Sequence, residues 1–146
     1  MTGTITLTTA IGISKNLTIN GGGLITLSGG SVNQVLSVSA GISLSLANLT
    51  VANGAGGIFN QGTLTVTNST FSGNSAEFGN AGGIFVTSSG SLVTFRNTIA
   101  ANNGVNCGGD IPIIDGGHNL DSDGSCGFSA TTGSLSGIDP LLAPDS

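Results

Sequence analysis

The chain has 146 residues and a formal net charge of -5, from two Lys or Arg against seven Asp or Glu, and charged residues make up only 6% of it. Gly, Ser, Thr and Asn supply just over half of the sequence, which excludes helical bundles and coiled coils, because the residues that hold helices in water are scarce. One Lys and one Arg cannot neutralise a phosphate backbone, so nucleic acid is excluded as a partner. A 38% share of hydrophobic residues at such low charge is also the wrong composition for a solvated coil.

The length suits one domain. No run approaches the roughly 18 apolar residues of a membrane span, so no membrane span is expected. The first residues, Met1-Thr2-Gly3-Thr4, carry neither the basic region nor the apolar core of a signal peptide, and Met1 reads as a start placed on a mature chain or a fragment.

In chain order, four segments can be set under one another: residues 3–21, 34–54, 56–74 and 82–103, with a degenerate fifth copy at 108–124. Each reads as a short β-branched or apolar strand, a small polar turn and a second alternating strand. An Asn, a very short third strand and a Gly/Asn turn complete the copy. The alternation is plain in Thr63-Leu64-Thr65-Val66-Thr67 and in Ile42, Leu44 and Leu46 against Ser43, Ser45 and Ala47. Strands this short cannot each bury their apolar face alone, but stacked coils close those faces into one core. The expected fold is therefore all-β, a single-stranded right-handed parallel β-helix (solenoid) of about five to six coils. Neighbouring coils would stand about 4.8 Å apart. The coils are expected over residues 1–128, with 129–146 as a C-terminal extension packed on or trailing the last coil.

The series Asn16, Asn48, Asn68, Asn97 and Asn119, spaced by 32, 20, 29 and 22 residues, marks one corner. Asn tolerates left-handed backbone angles at a sharp turn, and stacked amides can bond coil to coil, so these five are expected to form a structural ladder. Three residues after each stand Ile19, Val51, Phe71, Ala100 and Ser122, an apolar plug that weakens towards the C-terminus. Asn74 and Asn103 are candidates for a second, shorter series.

Cys107 and Cys126 lie 19 residues apart, close to one coil, and so are candidates for a disulfide between adjacent coils in an oxidising compartment, with buried free thiols as the alternative. The Asp-x-Asp-Gly run at Asp121 and Asp123 has the look of a calcium loop but lacks the later bidentate Glu, since Glu77 is the only Glu; a plain Asp/Gly turn is the competing reading. His118 and Ser122, near Asp115 and Asp121, could be set in a triad on paper, but a solvated turn His is the expected state. Of the six Phe (Phe59, Phe71, Phe78, Phe85, Phe95, Phe128), Phe59 and Phe85 share a place after Gly-Gly-Ile and are assigned to packing before sugar stacking. Thr4, Thr6 and Thr8, with Thr63, Thr65 and Thr67, suggest an ice-binding threonine array, though the coil between them shows Ser43 and Ser45. An uncapped N-terminal coil leaves unpaired strand edges, so end-to-end self-association is expected to be open to it.

The strings Asn48–Ala76 and Gly116–Phe128 resemble bacterial secreted and surface β-helix proteins. Among these are the repeats of the pectate-lyase-like superfamily and the polymorphic outer-membrane proteins. Residues 137–145 are similar to a segment that follows the helix in proteins ending in a choice-of-anchor domain, so the chain reads as a fragment or a minimal member. The resemblance implies a secreted or cell-surface location and leaves function open, because the superfamily holds lyases, hydrolases, adhesins and spacers. Lyases of this kind use Arg or Lys as base with Asp-bound calcium; here Lys15 and Arg96 fall in coils about three apart. The hydrolases use clustered Asp on one strand face; here all six Asp (Asp110, Asp115, Asp121, Asp123, Asp139, Asp145) lie in the last third without a paired-Asp strand. No catalytic residue is assigned. The expectation is a non-catalytic scaffold or adhesin-like spacer, with glycans or surface ligands as partners and no cofactor beyond candidate calcium. A polysaccharide-active β-helix with an incomplete site and an ice-binding solenoid are the alternatives.

Overall fold

A computed structural model describes residues 2–76, 81–87, 91–110 and 112–143; Glu77, Phe78 and Asp145 lie outside the described residues. Its strands stack in parallel as a β-solenoid of about five turns, with one 3-10 turn as the only helical element among the described residues.

Each turn contributes to three faces. One sheet runs in the order β2 (Ile11–Ile13), β4 (Gln34–Val38), β6 (Gly56–Asn60), β9 (Ile84–Val86) and β12 (Cys107–Gly109), reading from the N-terminal end. The second sheet folds round a corner, because β3 (Leu17–Ser28) and β5 (Ser43–Ala52) are long enough to serve two faces. On its first face β3 and β5 are followed by β7 (Thr63–Thr67), β10 (Leu92–Arg96) and β13 (Ile114–Asp115). On its second face β1 (Gly3–Thr6) precedes them. There β8 (Thr70–Ser72), β11 (Ile99–Ala101), β14 (Leu120–Asp121) and β15 (Leu135–Ser136) follow. All the pairings are parallel, and alternation puts one set of side chains inside.

Those inward residues form columns. Leu44, Leu64 and Val93 stack on one another, as do Leu46, Val66 and Phe95, and all six are buried. Leu36, Ile58 and Ile84 line the opposite wall and end on Cys107. Each such side chain contributes about 2 kcal/mol by leaving water. Phe71 and Phe95 stack at 5.4 Å between ring centroids, and Phe128 tilts against Phe95 at 6.1 Å, closing the C-terminal end of the core. Phe59 and Phe85 stack at 6.1 Å on the outward side of β6 and β9, half-buried.

The plug column differs in two places from the sequence alignment. It runs Leu27, Val51, Phe71, Ala100 and Asp121, not Ile19 to Ser122. Ile19 pairs with Leu46 on the neighbouring face, because the pairing of β3 with β5 is interrupted between Asn20 and Ile25. Gly22 and Gly23, both with positive φ, make that bulge. At the other end a fully buried carboxylate takes the place of the apolar residue.

The two ends of the solenoid are unlike. Phe128, the Cys107–Cys126 bridge and the strand β15 cover the last turn. At the first turn Ile5, Ile11 and Leu17 stay 36–51% exposed.

Candidate functional site

The corner between the two faces of the bent sheet carries a ladder of amides. Asn48 Nδ2 donates to Asn20 Oδ1 at 3.1 Å, Asn68 Nδ2 to Asn48 Oδ1 at 3.2 Å, and Asn97 Nδ2 to Asn68 Oδ1 at 2.7 Å. Asn48, Asn68 and Asn97 have φ of 56°, 50° and 49°, a left-handed turn that Asn adopts more readily than other side-chain-bearing residues. Asn16 and Asn119 are not rungs of this column. Asn16 precedes β3 and its Oδ1 accepts from the Ser43 N–H at 2.9 Å, because the Gly21–Leu24 bulge displaces the corner to Asn20. Asn119 lies one residue past the corner: the left-handed position there belongs to His118, with φ 57°. Asn119 is instead buried, with Nδ2 donating to Phe95 O and Asp115 Oδ1 and Oδ1 accepting from Thr98 N–H. Asn68→Ala is expected to lower stability by about 2 kcal/mol, from a strained φ and two lost amide bonds, and Asn68→Gly by about 1, because glycine relieves the strain. Urea titration of the two variants separates these contributions.

A second amide series runs through the interior. Asn74 Nδ2 donates to Asn103 Oδ1 at 2.8 Å, Asn103 Nδ2 to Asn106 Oδ1 at 2.9 Å, and Asn106 Nδ2 to Asp121 Oδ1 at 2.8 Å. All four residues are at most 1% exposed. Asn74 also caps the turn behind it, accepting from Gly54 N–H at 2.9 Å. Among the described residues no buried side-chain N or O lacks a partner, so this polar row is compatible with a packed core.

The row ends in the Asp121–Asp123 loop. Asp121 Oδ1 accepts from Asn106 Nδ2 and Asp123 N–H, and Oδ2 from Cys126 N–H. Asp123 accepts from Ser125 N–H and Oγ on one oxygen and from Asn106 N–H on the other. The carboxylates therefore converge on the chain's own donors. Among the described residues no group of three or more His, Cys, Asp or Glu side chains is arranged to hold a metal ion. Burial, reinforced by Asp123 beside it, pushes the Asp121 carboxyl above its ordinary value. Burial also opposes ionisation of Asp123, but its bonds to Ser125 and Asn106 outweigh it and hold that carboxyl low. The adjoining Cys107–Cys126 disulfide, with Cα atoms 4.9 Å apart, ties the loop to β12.

Asp115 is the other polar hub. Its Oδ1 accepts from Gly117 N–H, Asn119 Nδ2 and Ser134 Oγ, and its Oδ2 from Ser129 N–H and Thr132 Oγ1. Burial works against the ionised form, yet the donors from Ser129, Thr132, Ser134 and Asn119 prevail and hold the carboxyl well below the usual range. These bonds fasten residues 129–134, including the 3-10 turn Ala130–Thr132, to the last coil.

His118 is exposed, and its backbone N–H donates to Thr132 O at 3.3 Å; Ser122 Oγ accepts from Asn106 Nδ2. No hydrogen bond joins the His118 and Ser122 side chains among the described residues. Lys15 stands at the first turn and Arg96 on the outward side of β10. Among the described residues the acidic ones (Asp110, Asp115, Asp121, Asp123, Asp139) all belong to the last turn and the C-terminal segment after it. Thr4 and Thr6 sit on the second face of the bent sheet and Thr63, Thr65 and Thr67 on the first, so they make no common array. A different rank does fall in register: Thr4, Thr26, Thr50 and Thr70 on four successive strands.

The sequence pattern does not single out Asn20 or Asn106, and it marks Asp115 only as a neighbour of His118. The Asn20–Asn48 spacing of 28 lies within the range of the other rungs and is a usable signal. Among the described residues no helix is long and apolar enough to cross a membrane. Comparison with protein families, with curated proteins and with solved structures returns no match.

Proposed function

We propose that the chain is a non-catalytic β-solenoid module, secreted or displayed at a cell surface, serving as a rigid scaffold or adhesin-like spacer. The observation that supports this reading is how the acidic groups are used: the carboxylates of Asp115, Asp121 and Asp123 are bound to internal donors. A glycan-directed role then rests on the hydroxyl-bearing outward positions, such as Thr18, Ser45, Thr65 and Thr94 in register on the first face. Hydroxyls on a flat sheet can exchange hydrogen bonds with sugars without a cleft. The test is a glycan array together with incubation on polygalacturonate and other acidic polysaccharides. Binding without release of reducing or unsaturated ends is the expected result; depolymerisation would replace this reading with the polysaccharide-active one.

The Thr4, Thr26, Thr50 and Thr70 rank favours a second reading, an ice-binding face, since repeated threonines about 4.8 Å apart present methyls and hydroxyls at a regular spacing. A thermal hysteresis measurement decides it, and a freezing point equal to the melting point removes it. The exposed first turn also supports association with a second copy, which light scattering would register as a dimer.

A further inference from the structure

The chain has three Asn-Gly pairs among its described residues: Asn20-Gly21, Asn53-Gly54 and Asn103-Gly104. Such a pair can react with itself, because the glycine N–H has no side chain beside it to hinder attack on the asparagine amide carbon. The three sites are held very differently.

Asn103 is 1% exposed, with Nδ2 bonded to Phe71 O and Asn106 Oδ1 and Oδ1 accepting from Asn74. At the Asn53 pair the attacking nitrogen is engaged, since Gly54 N–H donates to Asn74 Oδ1 at 2.9 Å in a buried turn. Asn20 is exposed and opens directly into the Gly21–Leu24 bulge, where the strand pairing lapses and Gly22 and Gly23 carry φ of 63° and 75°. Two donors point at its carbonyl oxygen: Gly22 N–H at 2.9 Å and Asn48 Nδ2 at 3.1 Å. Attack at the amide carbon turns that oxygen into an oxyanion, and fixed N–H groups on such an oxygen are what stabilise it.

We propose that Asn20 is a site of spontaneous intramolecular deamidation, promoted by the fold at this one pair and suppressed by it at the other two. Gly21 N loses its proton to water or hydroxide and bonds to Asn20 Cγ. The Cγ–Nδ2 bond breaks, and the amide leaves as ammonia after taking a proton from water. The resulting succinimide adds one water and opens to aspartate or isoaspartate at position 20. No oxidant or cofactor is consumed. The product places a carboxylate at the terminal rung of the ladder, where Asn48 Nδ2 can still donate to it, and makes the formal charge of -5 more negative by one. The inference does not rest on the proposed scaffold role.

The test is peptide mapping by mass spectrometry during incubation at mildly alkaline pH, on the folded protein and in concentrated urea. Urea erases the structural differences, so the three pairs serve as each other's controls. In the folded protein Asn20 is expected to convert at least as fast as in urea, and about tenfold or more faster than Asn53 and Asn103, a gap of about 1.4 kcal/mol in barrier. Asn20 reacting more slowly folded than unfolded, or all three converting alike in the folded state, overturns the proposal. Asn48→Asp keeps the acceptor for Asn68 and removes the donor to Asn20. A slower Asn20 reaction in that variant, with an unchanged melting curve or in proportion to the folded fraction, supports the donors' role; an unchanged rate refutes it.

Discussion

Phe95→Ala is expected to cost the folded chain about 4 kcal/mol, because truncating a fully buried aromatic leaves a cavity as well as losing transfer free energy. The position makes collapse around the gap difficult. Phe95 stands between the Phe71 and Phe128 rings and next to Val66 in its column, and Val66 and Phe71 are each held in a strand paired on both sides. The same change at Phe85 removes a ring that is half-buried and outward, and is expected to cost about 1–2 kcal/mol. Urea-induced unfolding of both variants, followed by circular dichroism, checks the contrast; equal losses would mean that the stacked interior does not dominate stability.

Asp115→Ala is the second large effect, about 4 kcal/mol, because it removes the acceptor on which five donors converge. Residues 129–134 are expected to detach, and limited proteolysis would report a new cut there while the earlier coils stay protected. The wild-type pH profile carries the same information with a defined sign. The folded Asp115 and Asp123 carboxyls are held below the ordinary 3.8, so their stabilisation is present above that pH and is lost as pH falls below it. Asp121 works the other way: its raised value favours the folded state below 3.8 and its contribution fades as pH rises through the folded value. Stability should therefore pass through a maximum on the mildly acid side and fall steeply below it. A monotonic rise of stability through that region would contradict the assignment for Asp121.

The repeat pattern carries the architecture well. Alternating residues such as Leu64 and Val66 sit inside because a period of two leaves them no other face, and the stacking follows from strands too short to bury themselves. The polar corners are legible by residue type but not by number. Asn16 and Asn20 are equally good turn residues in a list of letters, and only the bulge at Gly21–Leu24, a three-dimensional accident of pairing, selects the second. The same holds at the far end, where His118 takes the left-handed turn and frees Asn119 to bond inwards. Asp115 stands out in the sequence only as a neighbour of His118, because its importance comes from Ser129, Thr132 and Ser134, which return to it after a loop that no local pattern encodes.

Charge is distributed unevenly along the axis. With Lys15 at the first turn and the described Asp residues gathered at the last, the molecule is an electric dipole whose poles are separated by about 19 Å, four coil spacings. Brought to a cationic surface at low salt, it would not lie flat. It would stand upright on its acidic foot, with the exposed Ile5, Ile11 and Leu17 of the first turn at the end away from the surface.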